Sequence, residues 1–304
     1  MVMNLQQLMT KDTQVRWLLE DFLPKGCIAF LHGQTGVKRS FYLQQLAFAL
    51  ATGKEFLGHK VSKPTRVLLY QQELTHAQMK MRAKKMLLKY PEENENLLFN
   101  KNYGLHLDTE DGINQLIILM DENEVEVVLL DPLYMLHSSD NKAEKDMMRW
   151  LNPLQQHAIE TDRTIIVAAH STKPNDKNRS GISSLAGTAA LGQISAYVWS
   201  LSPELRYTNT GKLNFEKTRD MPAPKPLDIK FDPNTFTFER KGSQTNVLQL
   251  RVAWLQRETQ TSLMTYTEAK DAVMEEFSCK ETTAKAVLKE YREQGGEFLE
   301  PSQS

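Results

Sequence analysis

The sequence predicts an α/β protein whose core is a mostly parallel β-sheet. Short apolar runs alternate with helix-like segments through the first 170 residues, which is typical of βαβ units. These runs are nearly continuous in Val, Ile and Leu, as expected of strands that helices cover on both faces. From about residue 193, apolar and polar residues alternate between Pro, Asn and Gly turns. We therefore expect antiparallel strands at one edge of the sheet.

The predicted elements follow the chain in a regular order. Core strands are expected at 27–33, 66–73, 125–133 and 163–171. Helices are expected at 40–53, 75–90, 112–124 and 147–161. Edge strands are expected at 194–202, 212–219, 227–232 and 236–242.

A polar stretch, GSQTN, begins at Gly242 and predicts a boundary between a main domain at 1–242 and a smaller module at 243–304. The module begins with a helical run near 247–258, and two further helices and a short β-wing are expected after it, as in winged-helix proteins. The last helix mixes basic and acidic residues. DNA reading and an ordinary salt-bridged helix both remain open for it.

Composition excludes several classes of protein. Lys and Arg number 37 against 38 Asp and Glu, so any contact with DNA must come from local patches. The two cysteines, Cys27 and Cys279, lie far apart and form no metal-ligand motif, which favours a reduced, cytoplasmic setting. There is no long apolar run and the first residues are polar, so we expect a soluble protein without membrane contact.

The strongest local motif is GQTGVKRS at residues 33–40, which aligns with the phosphate-loop pattern G-x-x-x-x-G-K-[ST]. Backbone N–H groups of such a loop cradle phosphates at a helix N-terminus, and Ser40 would hold Mg²⁺. The expected ATP-binding residues are Gly33, Gln34, Thr35, Gly36, Val37, Lys38, Arg39, Ser40 and Phe41.

Two positions depart from the pattern. Lys38 replaces the last glycine and places a Cβ where the backbone approaches phosphate, while Arg39 replaces the lysine whose ammonium reaches the β- and γ-phosphates. Binding should therefore survive better than catalysis. Taken alone, the motif also fits a plain glycine-containing turn that enters a helix.

Three further strands end in polar residues. Glu73 ends the second strand and would deprotonate or orient the attacking water. Asp131 ends the third strand, where an acidic side chain holds the metal. His170 ends the fourth, at the sheet edge where ligands of such folds bind. The order phosphate loop, Glu, Asp, His outweighs the substitutions in the loop.

The segments WLLEDFLPKGCIAFLHGQTG, LLYQQELTHAQMKMR, VVLLDPL, AAHSTK and GISSLAG resemble successive motifs of the RepA-like replicative helicases, which are P-loop ATPases of the DnaB/RecA superfamily. The resemblance covers about residues 15–240. It implies a RecA-like core, a hexameric ring with ATP and Mg²⁺ between subunits, and Asp131 as metal ligand. It also implies Glu73 as base, His170 as γ-phosphate sensor and Arg82 as support for the glutamate segment.

The same resemblance assigns Lys217 and Arg219, in KLNFEKTRD, as fingers that reach the nucleotide of a neighbouring subunit. Without it, the pair would be interpreted as charges that protect an edge strand from aggregation.

Single-stranded DNA is the expected partner. Lys173, Lys177 and Arg179 lie in a polar loop at 173–187, where RecA-type rings line their pore, and would follow the phosphate backbone. The mixed-charge segment 139–146 is a second candidate pore loop that also fits a surface connection. The resemblance adds primase, a loader or other replication proteins as further partners.

The sequence is compatible with three alternative functions. The first is an ATP-dependent, ring-forming helicase or translocase on single-stranded DNA. The second is a scaffold or loader that binds nucleotide, hydrolyses it poorly and oligomerises on DNA. The third is a regulator whose C-terminal module binds duplex DNA while the ATPase fold oligomerises.

Overall fold

The computed structural model of the chain describes residues 2–10, 14–91, 94–100, 104–137, 144–171, 182, 185, 189–203, 209–241, 251–252, 254–256, 258–259, 262–277 and 279–299. The chain divides into two compact units, Met1–Lys241 and Gly242–Ser304. No helix in these ranges combines the length and the apolar character that crossing a membrane requires.

The first unit contains two sheets and six α-helices in its described residues. The strands are β1 (Trp17–Leu19), β2 (Leu23–Pro24), β3 (Ile28–Gly33), β4 (Val67–Gln71), β5 (Leu97–Phe99), β6 (Val127–Asp131), β7 (Thr164–His170), β8 (Tyr197–Pro203), β9 (Thr210–Thr218), β10 (Leu227–Asp232) and β11 (Thr237–Arg240). The helices are α1 (Leu5–Met9), α2 (Arg39–Thr52), α3 (His76–Met86), α4 (Glu110–Glu122), α5 (Glu144–Thr161) and α6 (Ala189–Ile194).

Nine strands form the main sheet in the order β11-β10-β9-β8-β3-β7-β6-β4-β5. The strands from β8 to β5 in this order are parallel, whereas β9, β10 and β11 pair antiparallel at one edge. The predicted mixed α/β fold with a large, mostly parallel sheet is confirmed. Strand β7 lies between β3 and β6. The three strands predicted to carry the phosphate loop, His170 and Asp131 are therefore neighbours.

Each face of the sheet carries its own hydrophobic core, because successive side chains of a strand point to opposite faces. Ala29 and Leu31 of β3 pack in the core that contains α2, while Ile28 and Phe30 pack in the core that contains α4 and α5. Helix α2 is apolar on nearly every side and buried along most of its length, as such a helix must be.

Several elements differ from the sequence prediction. The small β1–β2 hairpin, the short strand β5 and helix α1 were not predicted. Helix α4 begins at Glu110, two residues earlier than expected, because the Thr109 hydroxyl accepts a hydrogen bond from the N–H of Gly112. A cap of this kind starts a helix before its apolar pattern becomes visible.

The second unit contains helices α7 (Tyr266–Glu276) and α8 (Glu281–Glu293). They pack around a small core that includes Val252, Leu255 and Leu288. In the described part of this unit, the expected β-wing corresponds to one isolated parallel bridge between Thr265 and Leu299. The winged-helix assignment therefore stays a prediction.

Phe22 ties the β1–β2 hairpin to the sheet. It is fully buried, its ring stacks on Trp199 with centroids 5.0 Å apart, and it meets Phe215 edge-on at 5.4 Å. We expect Phe22→Ala to lower the free energy of unfolding by about 3–5 kcal/mol, because it removes a large ring and leaves a cavity. Urea unfolding would measure the change. Leu88→Ala, at a side chain 61% exposed, is the control and should change stability by less than about 0.5 kcal/mol.

Candidate nucleotide-binding site

The loop between β3 and α2 turns too tightly for side chains at its first glycine. A Cβ at Gly33 would lie 2.7 Å from the Val37 Cγ2 atom and 2.8 Å from the Leu201 carbonyl oxygen. Gly36 adopts φ +88°, which L-residues rarely reach. Between these glycines, Gln34 and Thr35 are exposed, so this stretch of backbone is accessible to a ligand.

Lys38 adopts the left-handed conformation, with φ 66°, immediately before α2 begins. The phosphate-loop pattern has glycine here because glycine reaches this conformation without strain. The chain therefore keeps the backbone of a phosphate loop although it lacks the glycine. The Lys38 ammonium lies 5.2 Å from the centre of the Phe231 ring, so it points along the loop toward the edge strands.

The Arg39 guanidinium lies against the carboxyl ends of β3 and β7. Nη1 donates a hydrogen bond to the carbonyl of Gly33, and Nη2 lies 2.8 Å from Nδ1 of His170. Burial lowers the pKa of Arg39, while Asp131 and Glu73 act in the opposite direction. The arginine thus bridges the phosphate loop and the end of β7.

Asp131 lies at the carboxyl end of β6 and is almost fully buried. Gln71 donates a hydrogen bond from Nε2 to Asp131 Oδ2 at 2.7 Å, and the Ser40 hydroxyl lies close enough to favour the charged form of this carboxyl. Burial raises the pKa of Asp131, whereas Ser40 and then Gln71 act to lower it. Asp131 therefore contacts the phosphate loop through Ser40.

Ser40 and Asp131 together provide a hydroxyl and a carboxylate oxygen beside the phosphate loop. Mg²⁺ in nucleotide sites is held by one or two such protein oxygens together with phosphates and water. No group of three or more His, Cys, Asp and Glu side chains within the described ranges forms a metal cage. The donor set therefore suits Mg²⁺ that arrives with a nucleotide.

Glu73 lies just beyond β4 with an exposed side chain. Its backbone N–H donates to Gln71 Oε1 at 2.8 Å, and its Oε1 accepts a hydrogen bond from the hydroxyl of Tyr134. The hydrogen bond to Glu73 and, next, burial raise the pKa of Tyr134 to about 12. Tyr134 therefore stays a hydrogen-bond donor at neutral pH.

His170 ends β7, in register with Gly33 on the neighbouring strand. Burial and then the positive charge of Arg39 lower the pKa of His170 below its ordinary value of 6.5. A neutral ring has one nitrogen without a proton, and Nδ1 can therefore accept the hydrogen bond from Arg39. The ring also lies next to Tyr134, with centroids 5.3 Å apart.

Arg82 is a second positively charged residue of the site, and its guanidinium packs on the ring of Phe41. The Arg82 guanidinium lies 4.2 Å from the centre of the Phe41 ring, and Phe41 itself packs on Phe231 and Phe236. Burial lowers the pKa of Arg82, while Asp131 and Glu73 oppose that shift. Its buried Nη1 has no hydrogen-bond partner among the described residues. Phe41 therefore contacts both Arg82 and the aromatic rings of Phe231 and Phe236.

A cavity of about 440 Å³ opens beside the phosphate loop. Residues 34–38 form one wall, and the edge strands form the other with Pro203, Ile229 and Phe231 as apolar surface and Ser202 as a polar group. Its size falls within the usual range of small-molecule sites. The cavity continues the phosphate loop toward β8 and β10.

Lys217 and Arg219 lie at the other end of the sheet. Lys217 pairs with Val198 near the start of β8, whereas the phosphate loop adjoins Leu201 near its end. The Lys217 ammonium donates to the carbonyls of Gly192 and Gln193, 2.8 and 3.2 Å away, at the end of α6. Within one chain, this pair is therefore not brought to the phosphate loop.

The expected DNA-binding residues Lys173, Lys177 and Arg179 lie outside the described residues, as does most of the segment 139–146. Two residues of the cluster were missed in the sequence. These residues are Gln71 and Tyr134. The only sequence features that could have indicated them are the position of Gln71 at the end of β4 and the position of Tyr134 three residues after Asp131. Neither place distinguishes a site residue from an ordinary polar neighbour.

A family model described as an AAA domain matches residues 3–176, more than half of the chain. The chain belongs to this family. No curated protein matches it. The matched range of the AAA domain contains the phosphate loop, Glu73, Asp131 and His170. The expected P-loop ATPase class is thereby confirmed, whereas the more specific RepA-like assignment stays a prediction.

Lys38 offers a direct test of the strained loop. We expect Lys38→Gly to raise the free energy of unfolding by about 1 kcal/mol, because glycine adopts φ 66° without the cost that a Cβ imposes. Thermal or urea unfolding would measure the change. Lys38→Ala removes the ammonium but keeps the Cβ, so it should bring no gain. Equal stabilisation by both variants would contradict the backbone explanation.

His32 makes stability depend on pH. It is buried beside the loop, and burial, followed by the charge of Arg39, lowers its pKa from 6.5 to about 4. At pH values between the folded and the unfolded pKa, His32 binds a proton more readily in the unfolded chain than in the folded one. Its contribution to the free energy of unfolding is therefore fully present above pH 6.5 and is lost as the pH falls toward 4. The loss from this residue should be roughly 3 kcal/mol. Unfolding of His32→Gln should depend less steeply on pH over this window, and parallel curves would show that another group is responsible.

Proposed function

We propose that this AAA domain protein hydrolyses ATP and uses the energy to move along single-stranded DNA as a ring. The observation that carries the hydrolysis step is the convergence of Ser40, Glu73, Asp131 and His170 at one edge of the sheet, beside a loop with the backbone of a phosphate loop. These groups suffice to place a metal, a base and a γ-phosphate contact around one nucleotide.

The nucleotide would extend from the loop into the cavity of about 440 Å³. Phosphates would meet the loop backbone and the start of α2, where helix N–H groups favour anions. The base and ribose would lie against Phe231, Ile229 and Pro203, since an aromatic and aliphatic wall suits a flat heterocycle. The unpartnered Nη1 of Arg82 is a further donor that an incoming phosphate would satisfy.

The position of Lys217 and Arg219 supports a ring. Because they lie at the amino end of the sheet, away from the loop of their own chain, they can serve a nucleotide only in a neighbouring copy. In a hexamer built head to tail, each copy would contribute this pair to the next copy's site. Lys217 would first have to leave the carbonyls at the end of α6.

DNA is the part of the proposal that rests on sequence. Lys173, Lys177 and Arg179 follow directly after β7, whose last residue His170 contacts Arg39. In this proposal, a γ-phosphate that changes the His170 contact acts three residues before Lys173 in the sequence. Such a link between nucleotide and the basic segment is what a translocating motor requires, and primase or a loader would act on the assembled ring.

Arg39 favours a second candidate, a nucleotide-binding scaffold with little hydrolysis. The guanidinium is held by Gly33 and His170, at the sequence position where the phosphate-loop pattern has the lysine that reaches the phosphates. A forked guanidinium cannot copy the position of a compact ammonium. In this candidate, ATP would hold subunits together on DNA without turnover.

The deciding measurement is ATP turnover by the purified full chain with and without single-stranded DNA. We expect DNA to stimulate turnover, and Glu73→Gln to reduce it at least about 100-fold because the amide cannot accept the proton. Glu122→Gln, an exposed position on α4, is the matched control and should behave as wild type. Turnover that DNA leaves unchanged would contradict the motor but not the ATPase.

Arg39→Lys separates the two candidates further. A protein that binds ATP without turnover, and gains turnover in this variant, would be the scaffold. A wild-type protein with DNA-stimulated turnover would establish a motor with an arginine in its phosphate loop.

A further inference from the structure

Tyr134 lies at the centre of the proposed catalytic groups, although no motif includes it. Tyr134 lies three residues after Asp131, in the short 3₁₀ turn Leu133–Met135 that follows β6. The turn is closed by hydrogen bonds from the N–H of Met135 to Pro132 and of Leu136 to Leu133. Tyr134 is 47% exposed, so it is accessible from solvent.

The two ends of this side chain meet groups from two different strands. The hydroxyl donates to Oε1 of Glu73, which follows β4, and the ring packs beside His170 at the end of β7. His170 in turn accepts from Arg39. One side chain therefore connects the proposed base to the proposed γ-phosphate sensor.

The hydrogen bond matters because the Glu73 carboxylate has little else to hold it. Its backbone is fixed by Gln71, but in the described part of the chain Tyr134 is the residue that donates to the carboxylate itself. An exposed glutamate otherwise samples many rotamers. A general base must stand within hydrogen-bond reach of the water it activates, and small misplacements are costly.

We propose that Tyr134 is a positioning residue for Glu73. Its hydroxyl holds Oε1 and so directs Oε2 toward the water that attacks the γ-phosphate, while contact with His170 fixes the tyrosine ring. The water gives its proton to Oε2 as its oxygen bonds to phosphorus, and the bond to the ADP oxygen breaks. This inference rests on the proposed ATP hydrolysis.

Tyr134→Phe tests the proposal, because it removes the hydroxyl and keeps the ring against His170. In the full chain, with ATP, Mg²⁺ and single-stranded DNA, kcat should fall between about tenfold and a hundredfold. KM and the affinity for a fluorescent ATP analogue should stay within about twofold, because the proposal assigns the hydroxyl to Glu73 and not to the nucleotide. Tyr266→Phe, which removes the same atom from the other unit, is the matched control and should leave both unchanged.

A double variant distinguishes positioning from a general structural effect. If Tyr134 acts through Glu73, adding Tyr134→Phe to Glu73→Gln should not lower the residual single-turnover rate further. An equal fold-loss in both backgrounds would overturn the proposal, and so would a Tyr134→Phe variant with unchanged kcat.

The outcome also separates this inference from the proposed function. A wild-type protein that binds ATP without any turnover would overturn both. Wild-type turnover that depends on Glu73 but not on Tyr134 would overturn the role of Tyr134 alone.

Discussion

Backbone hydrogen bonds between β3 and β7 pair Gly33 with His170, and the rest of the site depends on this register. Because both strands are parallel, their carboxyl ends stop at the same edge of the sheet. β6 adjoins β7 on its other side and β4 adjoins β6, so Asp131 and the residues after β4 arrive at the same edge. A slip of one residue in any of these pairs would turn the side chains to the opposite face.

The substitutions in the phosphate loop have different physical consequences. Lys38 keeps the left-handed backbone that glycine normally provides, so the loop retains its shape at the cost of local strain. Arg39 changes the chemistry of the site, since its guanidinium binds the Gly33 carbonyl and His170 at the same time. The loop therefore keeps its shape. The Arg39 guanidinium, however, already contacts protein groups before any nucleotide binds.

The polar cluster forms a connected network rather than a set of separate residues. Ser40 and Gln71 bind Asp131, Gln71 also accepts from the backbone of Glu73, and Tyr134 binds the Glu73 carboxylate. Arg82, stacked on Phe41, adds positive charge near the two acids. Such networks fix side chains in place before a ligand arrives, which is what electrostatic catalysis requires.

The α/β class, the strands that end at Asp131 and His170 or just before Glu73, and the loop between Gly33 and Ser40 could all be predicted from the sequence. These features are local, because hydrophobic periodicity and a short motif lie in consecutive residues. The antiparallel edge strands were also visible in their alternating pattern, whereas α1, the β1–β2 hairpin and β5 are too short to produce a clear period.

Which of these residues come into contact depends on the tertiary structure. The insertion of β7 between β3 and β6 brings Arg39 to His170, 131 positions apart, and the turn after β6 brings Tyr134 to Glu73. It also places Lys217 at the far end of the sheet, against the end of α6. Strand order and side-chain direction arise from packing of the whole sheet, so no local pattern in the sequence encodes them.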